Sequence, residues 1–160
     1  MSVGAYDEIL AALVAAGARF VLIGGLALNA WGVIRGTKDV DVVIARDPDS
    51  VRAVASAAVT LGGQVQMGDS FLSSEPGIAS ALLEERRVLI ETRSGALDVV
   101  GGLPHVPPYE ELAARSVSVE IDDLRIDVCS REDLRAMKRG AGRPQDLVDL
   151  ENLELTEDRS

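Results

Sequence analysis

The sequence predicts an α+β, or mixed α/β, domain in which helices flank a partly antiparallel central sheet and further helices close the C-terminal end. Three observations predict this class. Apolar residues recur at helical spacing near both ends of the chain, short valine- and isoleucine-rich runs lie between them, and Gly- or Asp-containing turns join several runs into hairpins. Because only 3% of the residues are aromatic, aliphatic side chains must fill the core.

The first part of the chain is predicted to alternate helices and buried strands. The predicted elements are a helix over residues 5–16, a strand over 19–23, a helix over 26–33, a strand over 40–45 and a helix over 49–61. Gly17 ends the first helix, Gly24-Gly25 separates the first strand from the second helix, and Pro48 lies at the entry of the third helix. Proline fits there because the first turn of a helix does not use its N–H group.

The remainder of the chain is predicted to form hairpins followed by two helices. The predicted elements are short strands near residues 64–68 and 71–74, a helix over 78–85, strands over 87–92 and 96–100, a helix near 109–114, strands over 116–121 and 124–129, and helices over 131–140 and 145–153. Ser94-Gly95 and Asp122-Asp123 are turn pairs, and Ser130 is a good N-cap for the helix that follows it.

Composition and charge limit the classes of partner. Asp and Glu outnumber Lys and Arg by 26 to 16, whereas a protein that binds duplex DNA usually presents a basic face. Cys129 is the only cysteine, which excludes an internal disulfide and fits a reducing compartment. No apolar run reaches the roughly 18 residues of a membrane span, and no signal peptide is recognisable. We expect one cytoplasmic domain over residues 1–155 and a frayed terminus over 156–160, with neither membrane nor duplex DNA as a partner.

Two aspartates lie at the start of the second predicted strand. Side chains alternate along a strand, so Asp39 and Asp41 point to the same face while the valines between and after them point to the core. Two neighbouring carboxylates repel each other unless a cation lies between them, and paired carboxylate oxygens are ligands that suit Mg²⁺. An Asp-x-Asp pair by itself is more often a solvated strand end, so the pair needs support from its surroundings.

A glycine pair provides that support. Gly24-Gly25 follows a predicted strand and opens a predicted helix, where free backbone N–H groups can receive phosphate oxygens and the missing Cβ permits close approach. A glycine pair alone usually marks only a turn. The order of the glycine pair, a helix and the carboxylate pair nevertheless favours Mg²⁺-dependent chemistry on a nucleoside triphosphate.

The segment GGLALNAWGVIRGTKDVD, residues 24–41, resembles the DNA polymerase β-like nucleotidyltransferase superfamily through its glycine pair and its Arg-x-Thr-x-Asp-x-Asp pattern. The most similar members are minimal bacterial ones, either abortive-infection toxin-type proteins or stand-alone domains. Residues 133–153, DLRAMKRGAGRPQDLVDLENL, look like the end of those proteins. The resemblance implies the polymerase β-like fold and transfer of a nucleoside monophosphate from an NTP to a hydroxyl group.

Members of that superfamily carry a third acid on a later strand. Asp98, within GALDVVG, is the best match, and Asp127, within LRIDVCS, is the alternative. A sheet order that put Asp127 beside Asp39 would overturn the assignment to Asp98, whose structural alternative is a hairpin-end aspartate facing water. The resemblance implies that Asp39, Asp41 and the third acid are catalytic and hold two Mg²⁺ ions.

Further candidates would contact the nucleotide. They are glycines that allow close approach and polar or basic side chains near the two motifs: Gly24, Gly25, Arg35, Thr37, Lys138 and Arg143. Arg35 would either bind triphosphate oxygens bidentately or pair with one of the many acids. Thr37 would either hydrogen-bond near the metal pair or cap the strand. For Lys138 and Arg143 the alternative is a solvated basic face that balances nearby acids.

The expected function is therefore Mg²⁺-dependent nucleotidyl transfer to a protein, a tRNA or a small molecule. The toxin–antitoxin association of short relatives favours a protein or tRNA acceptor and makes a cognate toxin or antitoxin a candidate partner. A different class of function is an interaction module that has kept the fold and lost the chemistry, acting as an antitoxin or regulator. Binding of a triphosphate together with Mg²⁺ distinguishes the two.

Overall fold

Residues 5–157 are described by the structure, a computed structural model, and form seven helices and eight strands. In chain order these are α1 (Ala5–Ala15), β1 (Phe20–Ile23), α2 (Gly24–Ala30), β2 (Asp39–Ile44), α3 (Pro48–Thr60), β3 (Val65–Met67), β4 (Ser70–Leu72), α4 (Glu75–Glu84), β5 (Arg87–Thr92), β6 (Gly95–Val100), α5 (Tyr109–Arg115), β7 (Val117–Ile121), β8 (Leu124–Val128), α6 (Arg131–Ala141) and α7 (Pro144–Glu157). Residues 1–4 of the predicted domain and 158–160 of the predicted frayed end lie outside the described residues.

The described strands form a six-stranded sheet in the order β5-β6-β2-β1-β8-β7, and β3 and β4 form a small separate sheet. The central strands β1 and β2 are antiparallel, while β2 runs parallel to β6 and β1 runs parallel to β8. The edge strands β5 and β7 are antiparallel to their neighbours. The predicted mixed sheet with flanking helices is therefore confirmed. None of the described helices has the length and apolar character needed to cross a membrane.

The core packs helices against the two central strands. Every residue of β1 is buried, and β2 is buried along its whole length except at Asp39 and Asp41, which are half-buried. On α1, the side chains of Ile9, Leu10 and Leu13 form one apolar face with at most 1% of their surface exposed. Full burial of each such side chain contributes about 1.5–3 kcal/mol. This packing fixes β2 and with it the end that carries the carboxylates.

Two helices begin two or more residues earlier than the sequence predicts. α2 starts at Gly24, where the predicted start is residue 26, because a φ of +69° at this glycine turns the chain from β1 directly into the helix. α4 starts at Glu75, where the predicted start is residue 78. Its signal is the N-cap Ser74, whose hydroxyl accepts a hydrogen bond from the backbone N–H of Gly77, together with a proline in the first turn.

The last helix continues beyond its predicted end. α7 runs to Glu157, so residues 156 and 157 of the segment predicted to fray are helical. Arg131 of α6 holds this turn by donating hydrogen bonds to the carbonyl of Leu153 and to the hydroxyl of Thr156. The guanidinium of Arg131 also lies 5.1 Å from the centre of the Trp31 ring, close enough for a cation–π contact.

A buried ion network joins α6 to α7. The carboxylate of Asp149 is fully buried and accepts hydrogen bonds from Arg35 at 2.6 Å and Gln145 at 2.9 Å, while the Lys138 ammonium lies 2.9 Å away. The neighbouring carboxylate of Asp146 is 1% exposed and lies 3.3 Å from the same ammonium. Burial favours the neutral form of Asp146, but hydrogen bonds from the Arg143 side chain and backbone outweigh it, so its pKa is lowered.

We predict that Asp149→Asn lowers the free energy of unfolding by about 3–5 kcal/mol, because it leaves buried cations without their shared carboxylate. Urea denaturation of the two proteins measures the difference. Glu151→Gln removes an exposed acid from the same helix and is the matched control, with an expected change within about 0.5 kcal/mol. An Asp149 variant as stable as this control would show that the network contributes nothing to folding.

Candidate active site

Three carboxylates converge at one end of the sheet. Asp39 and Asp41 begin β2, and Asp41 is the direct cross-strand partner of Asp98 on the parallel strand β6. One oxygen from each of the three lies within 4.8 Å of the others. Residues paired across neighbouring strands share a face of the sheet, and the i, i+2 spacing puts Asp39 on that face as well. The cluster therefore depends both on the spacing of Asp39 and Asp41 within β2 and on the pairing of β2 with β6.

Asp127 lies elsewhere. It belongs to β8, which the whole width of β1 separates from β2. Its carboxylate accepts a hydrogen bond of 2.8 Å from the hydroxyl of Ser118 on the edge strand β7. Of the two candidates for a third acid, the structure brings Asp98 to the carboxylate pair and leaves Asp127 on the outer part of the sheet.

The three carboxylates form an electrostatically unfavourable group on their own. Burial, followed by the charges of Asp98 and Asp39, raises the pKa of Asp41 to about 7, although Lys138 and Arg87 oppose the shift. Clustered carboxylates with this property fit a divalent cation, because the positive charge would relieve the repulsion and hard oxygens are its preferred ligands. The residues present therefore match a site for one or more Mg²⁺ ions.

Arg87 is a site residue that the sequence reading missed. It lies on the edge strand β5, and its Nε approaches the two oxygens of Asp98 at 3.0 and 3.1 Å while one terminal nitrogen donates at 2.8 Å. Asp98 is 4% exposed, so this bidentate contact stabilises a buried charge and fixes the carboxylate's orientation. The predicted hairpin of residues 87–92 and 96–100 indicates that the strands pair, but it does not reveal that the arginine at the start of the first strand meets Asp98.

Gly24 and Gly25 lie so close to neighbouring side chains that neither position has room for a Cβ atom. A Cβ on Gly24 would lie 2.1 Å from a carboxylate oxygen of Asp41, and a Cβ on Gly25 would lie 2.5 Å from the Thr37 hydroxyl oxygen. That hydroxyl donates a 3.0 Å hydrogen bond to the carbonyl of Asp39, and the Tyr6 hydroxyl donates to the Thr37 carbonyl at 2.7 Å. The glycine turn and the strand entry are thus packed directly against each other, and Thr37 supports the first turn of the site.

A cleft of about 870 Å³ opens above the carboxylates. All nine residues singled out as the first-choice site line it, namely Gly24, Gly25, Arg35, Thr37, Asp39, Asp41, Asp98, Lys138 and Arg143. All three basic side chains pair with the buried acids of α7 but differ in exposure: the Arg143 side chain is 73% exposed, whereas those of Lys138 and Arg35 are 11% and 27% exposed. Those acids, like Arg87, are not among the sequence-predicted site residues.

Asp41 gives a prediction for the pH dependence of stability without divalent cations. The pKa of Asp41 rises from 3.8 to about 7 on folding. Below about pH 4 the carboxyl is protonated in both the folded and the unfolded state and does not affect the free energy of unfolding. Between about pH 4 and pH 7 only the unfolded state loses the proton, so stability falls as the pH rises. At pH 8 we expect Asp41→Asn to be more stable than the wild type by up to about 4 kcal/mol, a difference that vanishes towards pH 4. Urea denaturation in EDTA measures it. Asp69→Asn, at an exposed turn, should show no such trend, and a pH-independent effect of Asp41→Asn would contradict the prediction.

Solved structures with the same fold include antibiotic-modifying enzymes. The lincosamide antibiotic adenylyltransferase LnuA, in a crystal structure with lincomycin bound, has a TM-score of 0.64 and 15% identity, with 94% of each chain covered. The antibiotic-resistance factor ANT(2'')-Ia has a TM-score of 0.61 and 16% identity, with 95% of this chain and 80% of that one covered. A nucleotidyltransferase-like protein from Paracoccidioides brasiliensis has a TM-score of 0.57 and 16% identity, covering 92% and 75%.

At these identities the structural likeness shows the fold, and the sequence family comes from a separate comparison. No curated protein matches the chain in sequence. A family model described as "Nucleotidyltransferase of unknown function (DUF6036)" matches residues 5–159, nearly the whole chain. The chain therefore belongs to this family of nucleotidyltransferases.

Proposed function

We propose that the protein transfers a nucleoside monophosphate from an NTP to a hydroxyl group of a small molecule, with Mg²⁺ bound by Asp39, Asp41 and Asp98. The convergence of the three carboxylates in an open cleft carries this proposal. Bound divalent cations would neutralise the triphosphate and activate the acceptor hydroxyl, which is the chemistry that such ions supply in phosphoryl and nucleotidyl transfer. The groups that would orient the substrates are side chains and backbone atoms of the cleft.

The basic wall of the cleft suits the triphosphate. Lys138 is held by two buried carboxylates and Arg35 by one of them, so their charges are already oriented before a substrate arrives. Arg143 is mostly exposed and lines the cleft while its guanidinium is paired with Asp146, so it presents a charge to an incoming phosphate. The glycines allow the backbone to approach phosphate oxygens closely. We infer that these groups orient the triphosphate so that its α-phosphorus lies beside the carboxylates.

Asp98 is suited to receive the proton of the acceptor hydroxyl. It is the third carboxylate of the cluster and lies nearest to the β5 edge of the sheet. The bidentate contact with Arg87 restricts its orientation. Fixed geometry of this kind supports transfer because alignment of the reacting groups lowers the barrier without further reorganisation. Arg87 would then act as a positioning residue for Asp98.

A small-molecule acceptor is favoured over tRNA or protein. LnuA is a lincosamide antibiotic adenylyltransferase, and ANT(2'')-Ia has been solved in complex with adenylyl-2''-tobramycin, so proteins of this fold adenylylate small molecules. The net charge of −10 disfavours a polyanionic acceptor such as tRNA. Membership of a toxin–antitoxin system stays a prediction from the sequence, as do the cytoplasmic location and the number of Mg²⁺ ions.

The proposal is tested by thermal unfolding with each common NTP and Mg²⁺. A ligand at 100 times its Kd stabilises a protein by about 2.7 kcal/mol, which for a domain of this size raises the Tm by roughly 5–10 °C. Asp39→Ala combined with Asp41→Ala should abolish the gain, and Asp98→Asn should reduce it, while Asp127→Asn should retain all of it. An equal gain in the double variant would indicate triphosphate binding elsewhere, and no gain in the wild type would favour a catalytically silent interaction module.

The glycine turn gives a second test. Gly24→Ala should lose most of the NTP-dependent Tm gain, because the new Cβ would displace the Asp41 carboxylate. Gly17→Ala is the matched control, since Gly17 also has a positive φ, +78°, but open space around its Cβ position. Both variants should lose about 1–2 kcal/mol of stability through backbone strain. Only Gly24→Ala should lose ligand response, and loss in both would refute a specific role for this turn.

A further inference from the structure

A second groove of about 730 Å³ lies beside the active-site cleft, between edge strand β5 and the β3–β4 hairpin. Gln64 and Glu91 form an isolated antiparallel bridge, with two backbone hydrogen bonds of 2.9 Å, and no further pairing between β3 and β5 occurs in the described residues. The hairpin thus leaves β5 along its length and creates the groove. Arg87 lines both this groove and the cleft, so the two spaces meet at the residue that holds Asp98.

The register of the sheet connects the groove to the carboxylates. Leu89 on β5 is the direct cross-strand partner of Asp98, which in turn is the partner of Asp41. These three side chains share one face and lie in a row, with successive strands roughly 5 Å apart. A molecule resting on Leu89 would therefore have its nearest groups beside Asp98. The basic side of the cleft lies in the opposite direction, since α6, which carries Lys138, packs against α2.

The groove combines exposed apolar surface with unpaired acids. Phe71, Met67 and Leu89 are 58%, 39% and 40% exposed, so three large apolar side chains line one groove. Glu85 and Glu91 are exposed at its border, and neither forms an ion pair with a described residue. The only cation that lines the groove among the described residues, Arg87, is already bound to Asp98.

We infer that this groove is the acceptor subsite and that the acceptor is a small hydroxylated molecule with a protonated amine and an apolar surface. The inference rests on the proposed nucleotidyl transfer and adds the location and chemical class of the acceptor. Phe71, Met67 and Leu89 contact the apolar part, and Glu85 and Glu91 attract the amine. An acceptor in the groove can reach Asp98 past Arg87, while the triphosphate occupies the basic side.

The transfer that follows is balanced within this arrangement. The acceptor oxygen forms a bond to the α-phosphorus, the bond from that phosphorus to its bridging oxygen breaks, and pyrophosphate leaves. The hydroxyl proton passes to the Asp98 carboxylate. A tRNA is disfavoured because Glu85 and Glu91 would repel phosphates at the groove. An extended peptide that adds to the edge strand β5 is the remaining alternative, and the experiment distinguishes it.

The test uses dansylcadaverine, a fluorescent probe with one primary amine and an apolar ring system, titrated into the full-length protein. We expect Phe71→Ala and the double variant Glu85→Gln/Glu91→Gln each to raise its Kd roughly threefold to tenfold, as befits partly exposed contacts. N-acetylation removes the positive charge of the probe. The Kd of the acetylated probe for the wild type should therefore match the Kd of dansylcadaverine for the double glutamine variant. Matched controls come from the opposite edge strand β7, where Val117→Ala and Glu120→Gln replace exposed residues of the same kinds and should leave the Kd unchanged.

The outcomes separate the groove from the nucleotidyl transfer. Unchanged Kd values in the groove variants, or equal binding of the neutral probe, would overturn the groove as a cation-binding subsite. NTP labelled at its α-phosphate and incubated with a cell extract should give a new labelled small molecule that is distinct from the NTP and its hydrolysis products. Phe71→Ala should reduce the amount of that product. Label in RNA or in protein instead would overturn the small-molecule class, with protein label pointing to a peptide on β5. Probe binding without any NTP-dependent Tm gain would overturn the acceptor role by removing the proposed function, while the binding site itself would stand.

Discussion

The parallel, in-register pairing of β2 with β6 is the constraint on which the site depends. It puts Asp41 and Asp98 side by side on one face, and the alternation of β2 adds Asp39. Burial of Asp41, and after it the repulsion from Asp98 and Asp39, raises the pKa of the Asp41 carboxyl to about 7. The buried apolar residues beside the carboxylates on β2 and β6 hold them together against this repulsion.

Two cationic side chains, Arg87 and Lys138, counter that repulsion. Arg87 meets Asp98 directly from the neighbouring strand, with a bidentate contact that a lysine could not reproduce. Lys138 acts from a distance, lowering the pKa of Asp41 while its ammonium is held by Asp146 and Asp149. A divalent cation would supply what both side chains leave uncompensated. The fold thus brings the three carboxylates together with part of their repulsion uncompensated, which suits the proposed binding of cations together with a triphosphate.

The sequence predicts the local parts of this site and not the contacts between distant segments. Asp39 and Asp41 follow from strand periodicity, and Gly24 from its position between a strand and a helix, because these signals lie within a few residues. The choice between Asp98 and Asp127 needs the strand order, which two similar strand patterns do not contain. Arg87 and Asp149 are not predicted because their partners are distant in the sequence. Arg87 lies at a strand start and its partner Asp98 is 11 residues away. Asp149 lies on a helix and its partner Arg35 is 114 residues away, so from the sequence alone both residues would be expected to face solvent.

The two sides of the cleft differ in charge: buried ion pairs line one side, and exposed apolar and acidic residues line the other. Burying Asp146 and Asp149 with Lys138 costs desolvation energy that apolar residues would not incur, so this network is a poor choice for stability alone. The network fixes cations on one side of the carboxylates. Under the proposed function, this placement would remove a reorganisation cost from the transfer step. On the other side, β5 and the β3–β4 hairpin leave apolar and acidic side chains exposed. A basic wall held by buried ion pairs and an exposed acidic groove would suit the proposed enzyme, whose phosphate donor is constant in chemistry and whose acceptor determines specificity.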